Sequence, residues 1–367
     1  MSLFTSSPNV QSPVEPAIRR ERMFSFTVRP QHGESIPELC RRVAGQLMET
    51  SATPVHLLAF GHVAATSVID EAFRTLRIDG GFPITLVEGA ACDDQPIAGI
   101  QVHAFTGNVE RIERNGRVVG SIFNEGGARQ CIVGGLSSAD NTLSRGKQTG
   151  QALENLQEIL SVAGFELADT IRTWFFLENI LSWYNDFNRA RTEIYSGVKF
   201  KTGSLPASTG VGAKNPAGSA LSLAAWAHRP IERTALAQEV ASPLQCPAPA
   251  YGSSFSRALE VSSNNGKRLF ISGTASIAPG GKTVWAGDIH KQIDLTMDVV
   301  EAILRSRGLT FDDLTRATAY FRNPADVGVF TEWLSANRLT QMPIISAQCD
   351  VCRDDLLFEL EAEAETE

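Results

Sequence analysis

Two stretches of the chain share one hydrophobic pattern. Each opens with an apolar run that contains glycine, 130–136 and 269–275. Each continues into a stretch that begins with Gln, 148–169 and 292–313, in which apolar residues recur at roughly helical spacing until a glycine ends the pattern. A glycine directly after the last periodic residue is typical of a helix C-terminus. The pattern therefore predicts a buried strand followed by an amphipathic helix in both stretches.

After this helix, both stretches predict a strand, a second helix containing Trp and Phe, and two further strands. The first strands are 170–179 and 314–323, and the closing pairs lie within 205–230 and 342–364. The glutamines that open the two helices are 144 residues apart, the glycines that end them are also 144 apart, and two later prolines are 137 apart. A nearly constant separation indicates a duplicated unit. The order of elements predicts the α+β class, with two repeats of a mixed sheet whose helices pack on one face.

The pattern divides the chain into four parts. Residues 1–22 are polar and proline-rich, and we expect a disordered tail. Residues 23–230 form an N-terminal domain that consists of the first repeat and an extra N-terminal segment. Within it, Asn115-Gly116 lies between strand-like runs and predicts a hairpin with a type I′ turn. The proline-rich stretch 231–250 is expected to be a linker, and 251–367 a C-terminal domain.

Composition narrows the class of protein. The chain has 367 residues, 43% of them hydrophobic, and a formal net charge of −8 without a Lys/Arg run. This balance argues against nucleic acid as a partner. An apolar stretch of membrane-spanning length, about 18 residues, is missing from the sequence, so we expect no membrane partner. Six irregularly spaced cysteines are typical of reduced thiols in a cytoplasmic protein.

The second repeat contains Ile-Ser-Gly-Thr-Ala-Ser-Ile, Gly-Asp-Ile-His-Lys-Gln, Gly-x-x-Phe-Asp-Asp-Leu and a closing Glu-x-Glu-Ala strand. In these motifs it resembles the YjgF/RidA fold, which has also been described as chorismate-mutase-like. Two such units, together with 95–107 and 205–213, resemble a narrower family, the chorismatases. The chain departs from the imine deaminases of the wider fold, since Ile345 stands where those enzymes carry a carboxylate-binding arginine. The enamine hydrolysis of those enzymes is therefore not expected here.

The last strand contains the best candidate for an acid. Strand alternation sends Glu359 and Glu361 to one face, about 7 Å apart, where each disfavours ionisation of the other. The alternative is a solvated acidic edge. The resemblance implies that the essential glutamate of chorismatases lies in this strand, and we choose Glu359 as the acid with Glu361 in reserve.

Cys352 lies seven residues before Glu359 and forms a C-x-x-C motif with Cys349. A metal or redox motif and a buried strand cysteine are the alternatives from the sequence alone. The resemblance implies a third interpretation, in which Cys352 lies near the substrate ring, as in chorismatases that form 3-hydroxybenzoate. It also implies that Ala275, in a turn of small residues, helps to determine the product; an ordinary tight turn is the alternative.

Several residues could bind carboxylates. Tyr184 and Arg191 are seven residues apart, which places them on one face of a helix. Arg257 lies at the first strand of the second repeat, and Tyr251 is close to it in sequence. For Tyr184 and Arg191 the alternative is an amphipathic helix whose arginines face water. Arg257 could instead be a strand-edge cation facing water, and Tyr251 an aromatic residue of the linker.

The resemblance implies that the protein converts chorismate into 3-hydroxybenzoate, with or without 4-hydroxybenzoate, and pyruvate. In this reaction an acid protonates the enolpyruvyl ether, and no cofactor and no metal are expected. The alternatives are a hydrolytic chorismatase, which gives a dihydroxycyclohexadiene carboxylate, and a YjgF-like ligand-binding protein without turnover. A homotrimer is also plausible from the resemblance, unless the duplication replaces those contacts within one chain.

Overall fold

The structure is a computed structural model of the chain. It describes residues 21–76, 78, 81–92 and 95–366. The tail expected at 1–22 lies outside the described residues except for its last two positions.

The described residues form three sheets in chain order. The first part comprises β1 (Met23–Val28), α1 (Ile36–Thr50), β2 (Thr53–Gly61), α2 (Ala65–Thr75), β3 (Ile84–Glu88), β4 (Ala90–Ala91) and β5 (Ile97–Phe105). The second comprises β6 (Glu110–Arg114), β7 (Arg117–Glu125), β8 (Ala128–Leu136), α3 (Arg145–Val162), β9 (Thr170–Leu177), α4 (Tyr184–Ser196), β10 (Ala207–Gly212) and β11 (Leu221–Pro230). The third comprises β12 (Leu236–Val240), β13 (Ala258–Ser263), β14 (Gly266–Ala275), α5 (Ile289–Ser306), β15 (Leu314–Phe321), α6 (Val327–Ala336), β16 (Ile344–Gln348) and β17 (Phe358–Thr366).

The second and third sheets have the same topology. Their strand orders are β10-β9-β11-β8-β7-β6 and β16-β15-β17-β14-β13-β12, with β4 added at the edge of the third sheet. In both, the first two strands are parallel and the others pair antiparallel. The α+β class with two repeated mixed sheets is therefore confirmed.

The N-terminal segment has this topology as well. Its strands are ordered β3-β2-β5-β1, with β3 parallel to β2 and the other pairs antiparallel. This is the same sheet without the outer hairpin strands. The sequence indicated only an extra segment over about 23–128, and the copy in 23–105 was not recognised because it lacks the outer hairpin strands. We propose three structural units: unit 1 (23–105), unit 2 (110–230) and unit 3 (236–366).

Local signals set the boundaries of several elements. Asn115 and Gly116 both have positive φ, 52° and 73°, and join β6 to β7 as the type I′ hairpin predicted. Gly164 and Gly308, at φ 78° and 76°, follow α3 and α5. The stretch 231–250 was expected to be a linker. In the structure it contains β12, the edge strand of the third sheet. That strand is mostly exposed and so lacks a hydrophobic pattern.

Each unit has its own core between helices and sheet, and the three sheets also share a fourth core. The shared core includes Phe60 of unit 1, Trp174 and Trp226 of unit 2, and Phe270 and Tyr320 of unit 3. Because each sheet buries one face against its helices and the other against its neighbours, clefts arise where two units meet. The residues selected from the sequence line one of these clefts.

Candidate active site

The cleft between units 2 and 3 brings together the residues selected from the sequence. Its inner chamber, of about 40 Å³, is lined by Tyr184, Arg191, Ser208, Gly210, Tyr251, Ser253, Phe255, Arg257, Gly273, Ala275, Ile277, Cys352, Arg353 and Glu359. At Cys352 and Arg353 the chamber continues into an outer cleft of about 1190 Å³. The chamber is smaller than the usual volume of a ligand site. A ring-sized ligand would therefore extend into the outer cleft.

Glu359 is the buried carboxyl group of this chamber. It lies in β17 opposite Ala275 of β14 and is 5% exposed. Its side chain has no hydrogen-bond partner among the described residues, and its Oε1 lies where a Cβ at position 273 would be, so only glycine leaves room for it. Burial, reinforced by the charge of Glu361, raises the pKa of Glu359 to about 8, against the opposing effect of two arginines.

Glu361 has the opposite surroundings, although it points to the same side of β17. Its carboxylate accepts hydrogen bonds from Arg172, from Arg316 (2.7 Å), from the hydroxyl of Thr209 (2.6 Å) and from the hydroxyl of Tyr320 (3.1 Å). The strand alternation predicted for the two glutamates is present, since Phe358 and Leu360 pack in the core on the other face. The solvated acidic edge considered from the sequence is wrong, because both carboxyl groups are buried.

Arg191 and Arg257 approach the chamber from opposite units. Both are almost fully buried, at 2% and 3% exposure. Arg191 donates to Asn188 (2.7 Å) and lies over the ring of Phe187, while its Nε has no partner among the described residues. Arg257 donates through Nε to the carbonyl oxygen of Cys246 (3.0 Å), and its Nη2 is likewise unpaired within the described part of the chain. Buried donors without partners are costly, so the chamber is suited to a ligand with acceptor groups.

Two tyrosines and a cysteine complete the wall. Tyr184, on α4, lines both the chamber and the outer cleft together with Cys352, and burial raises the pKa of Tyr184 above its ordinary value. The ring of Tyr251 lies between the guanidinium groups of Arg257 and Arg353, at 5.3 and 5.5 Å. Burial, followed by the charge of Glu359, raises the pKa of the Cys352 thiol to about 12. A neutral thiol is a poor nucleophile.

The metal and redox interpretations of the C-x-x-C motif gain no support. Both of its cysteines carry free thiols, and the described residues contain no group of three or more His, Cys, Asp or Glu side chains that could hold a metal ion.

Among the helices of the described residues, none combines the length and apolar character that a membrane span requires.

The sequence patterns did not lead to the selection of Arg353, Arg172 or Thr209 as candidate site residues. Arg353 follows Cys352 directly, and its Nη1 donates to the carbonyl oxygen of Gly281 (2.8 Å). Arg172 and Arg316 had a detectable signal: each is an arginine inside an apolar strand, and they are separated by the 144 residues of the repeat. Thr209 had none, because a threonine in a strand is ordinary.

A second cleft, of about 710 Å³, lies between units 1 and 2. At the corresponding place in the repeat, Ser222 lies opposite Phe176 of β9, as Glu359 lies opposite Tyr320 of β15. Ile84 and Leu86 line its wall. At this position the second cleft therefore has a hydroxyl where the first has the carboxyl of Glu359.

Comparisons with known proteins agree with this architecture. Residues 247–366 match the family model described as Endoribonuclease L-PSP. A solved chorismatase structure superposes with a TM-score of 0.67 at 20% sequence identity, covering 95% of this chain and 100% of that chain. The fold is therefore that of the L-PSP, or YjgF/RidA, class.

Sequence relatives are more specific. The chain is 28% identical over 240 residues to a 3-hydroxybenzoate synthase of Streptomyces hygroscopicus, an alignment that covers 58% of this chain and 68% of that protein. It is 25% identical over 236 residues to a chorismatase of the same organism, covering 58% of this chain and 66% of that protein. The alignments thus span about two thirds of these relatives. Over the aligned part, the chain is thus similar to a 3-hydroxybenzoate synthase and to a chorismatase.

Proposed function

We propose that this protein cleaves chorismate, with release of pyruvate, and that Glu359 is the proton donor. The observation that carries this proposal is the buried Glu359 carboxyl, whose pKa of about 8 keeps it protonated near neutral pH, in a chamber with two buried arginines. Chorismate is a dianion that reacts when its enolpyruvyl ether is protonated. The chamber therefore offers one acid and two cations to a substrate that needs one proton and two carboxylate partners.

In the proposed mechanism, Glu359 gives its proton to the methylene carbon of the enolpyruvyl group. The carbon–carbon double bond supplies the electron pair, and the ether carbon becomes an oxocarbenium-like cation. Arg191 and Arg257 hold the substrate carboxylates by charge-assisted hydrogen bonds, and the hydroxyl of Tyr184 adds a neutral donor. The negative charge left on Glu359 stabilises the cation. The bond between the ring carbon and the ether oxygen then breaks, and its electron pair forms the keto group of pyruvate. On the intramolecular route the neighbouring ring hydroxyl bonds to that ring carbon and returns its proton to Glu359, and the ring rearranges to the aromatic acid without gain or loss of atoms; on the hydrolytic route a water molecule bonds there instead. Positioning and charge complementarity supply most of the acceleration.

We further propose 3-hydroxybenzoate as the ring product. Pyruvate and hydroxybenzoate together have the same composition as chorismate, so this route consumes no water, whereas the hydrolytic route adds one water molecule. Cys352 and Ala275 line the same chamber as Glu359. A thiol at position 352 takes space beside the ring that a water molecule would otherwise use, which favours the intramolecular route.

Incubation with chorismate, followed by mass spectrometry of the products and a lactate dehydrogenase assay for pyruvate, tests the proposal. We expect pyruvate and an aromatic acid of the mass of hydroxybenzoate in equal amounts. Pyruvate with a dihydroxycyclohexadiene carboxylate would instead identify the hydrolytic reaction. Binding of chorismate without pyruvate would identify a ligand-binding protein and refute the proposed activity.

A further inference from the structure

The hydroxyl of Thr209 connects the two glutamates of β17. It donates to Oε2 of Glu361 (2.6 Å) and accepts from Nη2 of Arg172 (2.6 Å) and from the backbone N–H of Gly273 (3.1 Å). A hydroxyl offers one donor and two acceptor positions, so its hydrogen-bonding capacity is fully used. Thr209 is 1% exposed, and this arrangement leaves its proton directed at Glu361.

Gly273 is the residue against which Glu359 rests. A Cβ there would overlap Oε1 of Glu359 and would lie 3.3 Å from Cγ2 of Thr209. The strand pairing of β14 with β17 is irregular between Ile271 and Thr274. The backbone of Gly273 thus lies at a break in the ladder, where the hydroxyl of Thr209 accepts its N–H.

We propose that Thr209 is a positioning residue for the reaction: its hydroxyl holds Gly273 against the carboxyl of Glu359 and holds the carboxylate of Glu361 beside it. The inference rests on the proposed function. A residue on a strand of unit 2 thereby aligns the acid of unit 3. Thr209 lines no part of the chamber, so its effect is exerted through Gly273 and Glu361.

The charged and titratable groups that face Glu359 come from several elements. They are Glu361 on its own strand, Arg172 on β9, Arg257 before β13, Tyr184 on α4, and Cys349 and Cys352 before β17. Thr209 contacts two of them directly, Glu361 and Arg172. Loss of its hydroxyl leaves the N–H of Gly273 without its partner and leaves Arg172 as the remaining donor to Oε2 of Glu361, so the local backbone has to adjust.

Thr209→Val and Thr209→Ala both remove the hydroxyl and differ in shape, whereas Thr209→Ser retains it. We expect kcat for pyruvate release to fall at least tenfold in both variants without the hydroxyl, with KM changed less than threefold. Thr209→Ser is expected to stay within threefold of the wild type. Thr149→Val is the matched control, since Thr149 is equally buried but donates to the carbonyl oxygen of Arg145 in α3.

A role in stability alone would lower the melting temperature of Thr209→Val and Thr209→Ala without changing kcat per folded molecule, and that result would overturn the proposal. Equal losses of kcat in Thr209→Ser and Thr209→Val would also overturn it. If the wild type releases no pyruvate from chorismate, the proposed function fails instead, and the two failures are thereby distinguished.

Discussion

Glu359 and Glu361 lie two residues apart on the same face of β17 and have opposite hydrogen-bonding surroundings. Glu361 accepts hydrogen bonds from two arginines and two hydroxyl groups, whereas Glu359 has no hydrogen-bond partner within the described part of the chain and faces the chamber. Burial and the adjacent charge of Glu361 raise the pKa of Glu359 to about 8. The pair thus separates two roles, a fixed anion and a carboxylic acid, and the account of the reaction depends on that separation.

The pH dependence of the reaction follows from the raised pKa. The active form of Glu359 is the protonated one, so kcat/KM should be constant at lower pH and fall as the pH rises through about 8. Steady-state pyruvate release between pH 4 and 9.5 covers both this limb and the ordinary range of a carboxyl group. A descending limb near pH 5, the ordinary range of a carboxyl group, would contradict the assignment.

The stability of the folded protein should depend on the same group. Because the pKa of Glu359 is raised from 4.5 to about 8 on folding, the folded state binds a proton that the unfolded state releases between these values. Its contribution to the free energy of unfolding therefore falls as the pH rises through this window, by up to about 1.4 kcal/mol per pH unit. Glu359→Gln has no carboxyl group to titrate at this position and so does not lose stability in this way. Its melting temperature should therefore exceed that of the wild type by a margin that grows from pH 5 to pH 8. A constant difference across this range would mean that the carboxyl does not titrate as described.

The arginine of α4 should act through substrate binding. Arg191→Lys keeps the charge but loses the planar fork, and a lost charge-assisted hydrogen bond costs about 1.5–3 kcal/mol. We expect KM for chorismate to rise roughly 10- to 100-fold, by the conversion of about 1.4 kcal/mol per factor of ten. Arg305→Lys is the control, because Arg305 is exposed on α5, pairs with Glu301 and lines neither the chamber nor the outer cleft. Equal KM values in the two variants would remove Arg191 from the binding site.

The identity of the ring product should depend on Cys352. Cys352→Ala opens space beside Glu359, so a larger fraction of chorismate should be converted to the dihydroxycyclohexadiene carboxylate. Chromatographic separation of the products measures the ratio. Cys349→Ala is the control, since Cys349 is buried but does not line the chamber. An unchanged product ratio in Cys352→Ala would show that the thiol does not control access of water.

Much of the fold could be predicted from local patterns. The helices that end at Gly164 and Gly308, and the hairpin at Asn115-Gly116, are specified by residues adjacent in sequence, because positive φ and amphipathic spacing are local properties. The third copy of the sheet, in 23–105, could not be recognised in this way. Its similarity to the others lies in strand order, which is set by long-range pairing and leaves little trace in residue identity.

The candidate site was predictable where chemistry is unusual in its context. Two acids on one strand face and an arginine beside aromatics are candidates from the residues alone, and the resemblance favoured them over a solvated edge and a solvated helix face. The structure brings Glu359, Arg191 and Arg257 into one chamber. Thr209 could not be selected. Its importance arises from contacts between strands far apart in sequence, and a threonine is ordinary in a sheet.

The central claim is tested most directly by Glu359→Gln, with Glu365→Gln as the matched control on the same strand. Gln keeps the shape of the side chain but cannot act as an acid, so chorismate should still bind, by calorimetry, within a fewfold of the wild-type affinity. Pyruvate release should fall by at least about 100-fold, the scale of general acid catalysis, while Glu365→Gln should retain wild-type turnover. Near-normal pyruvate release by Glu359→Gln would contradict the account.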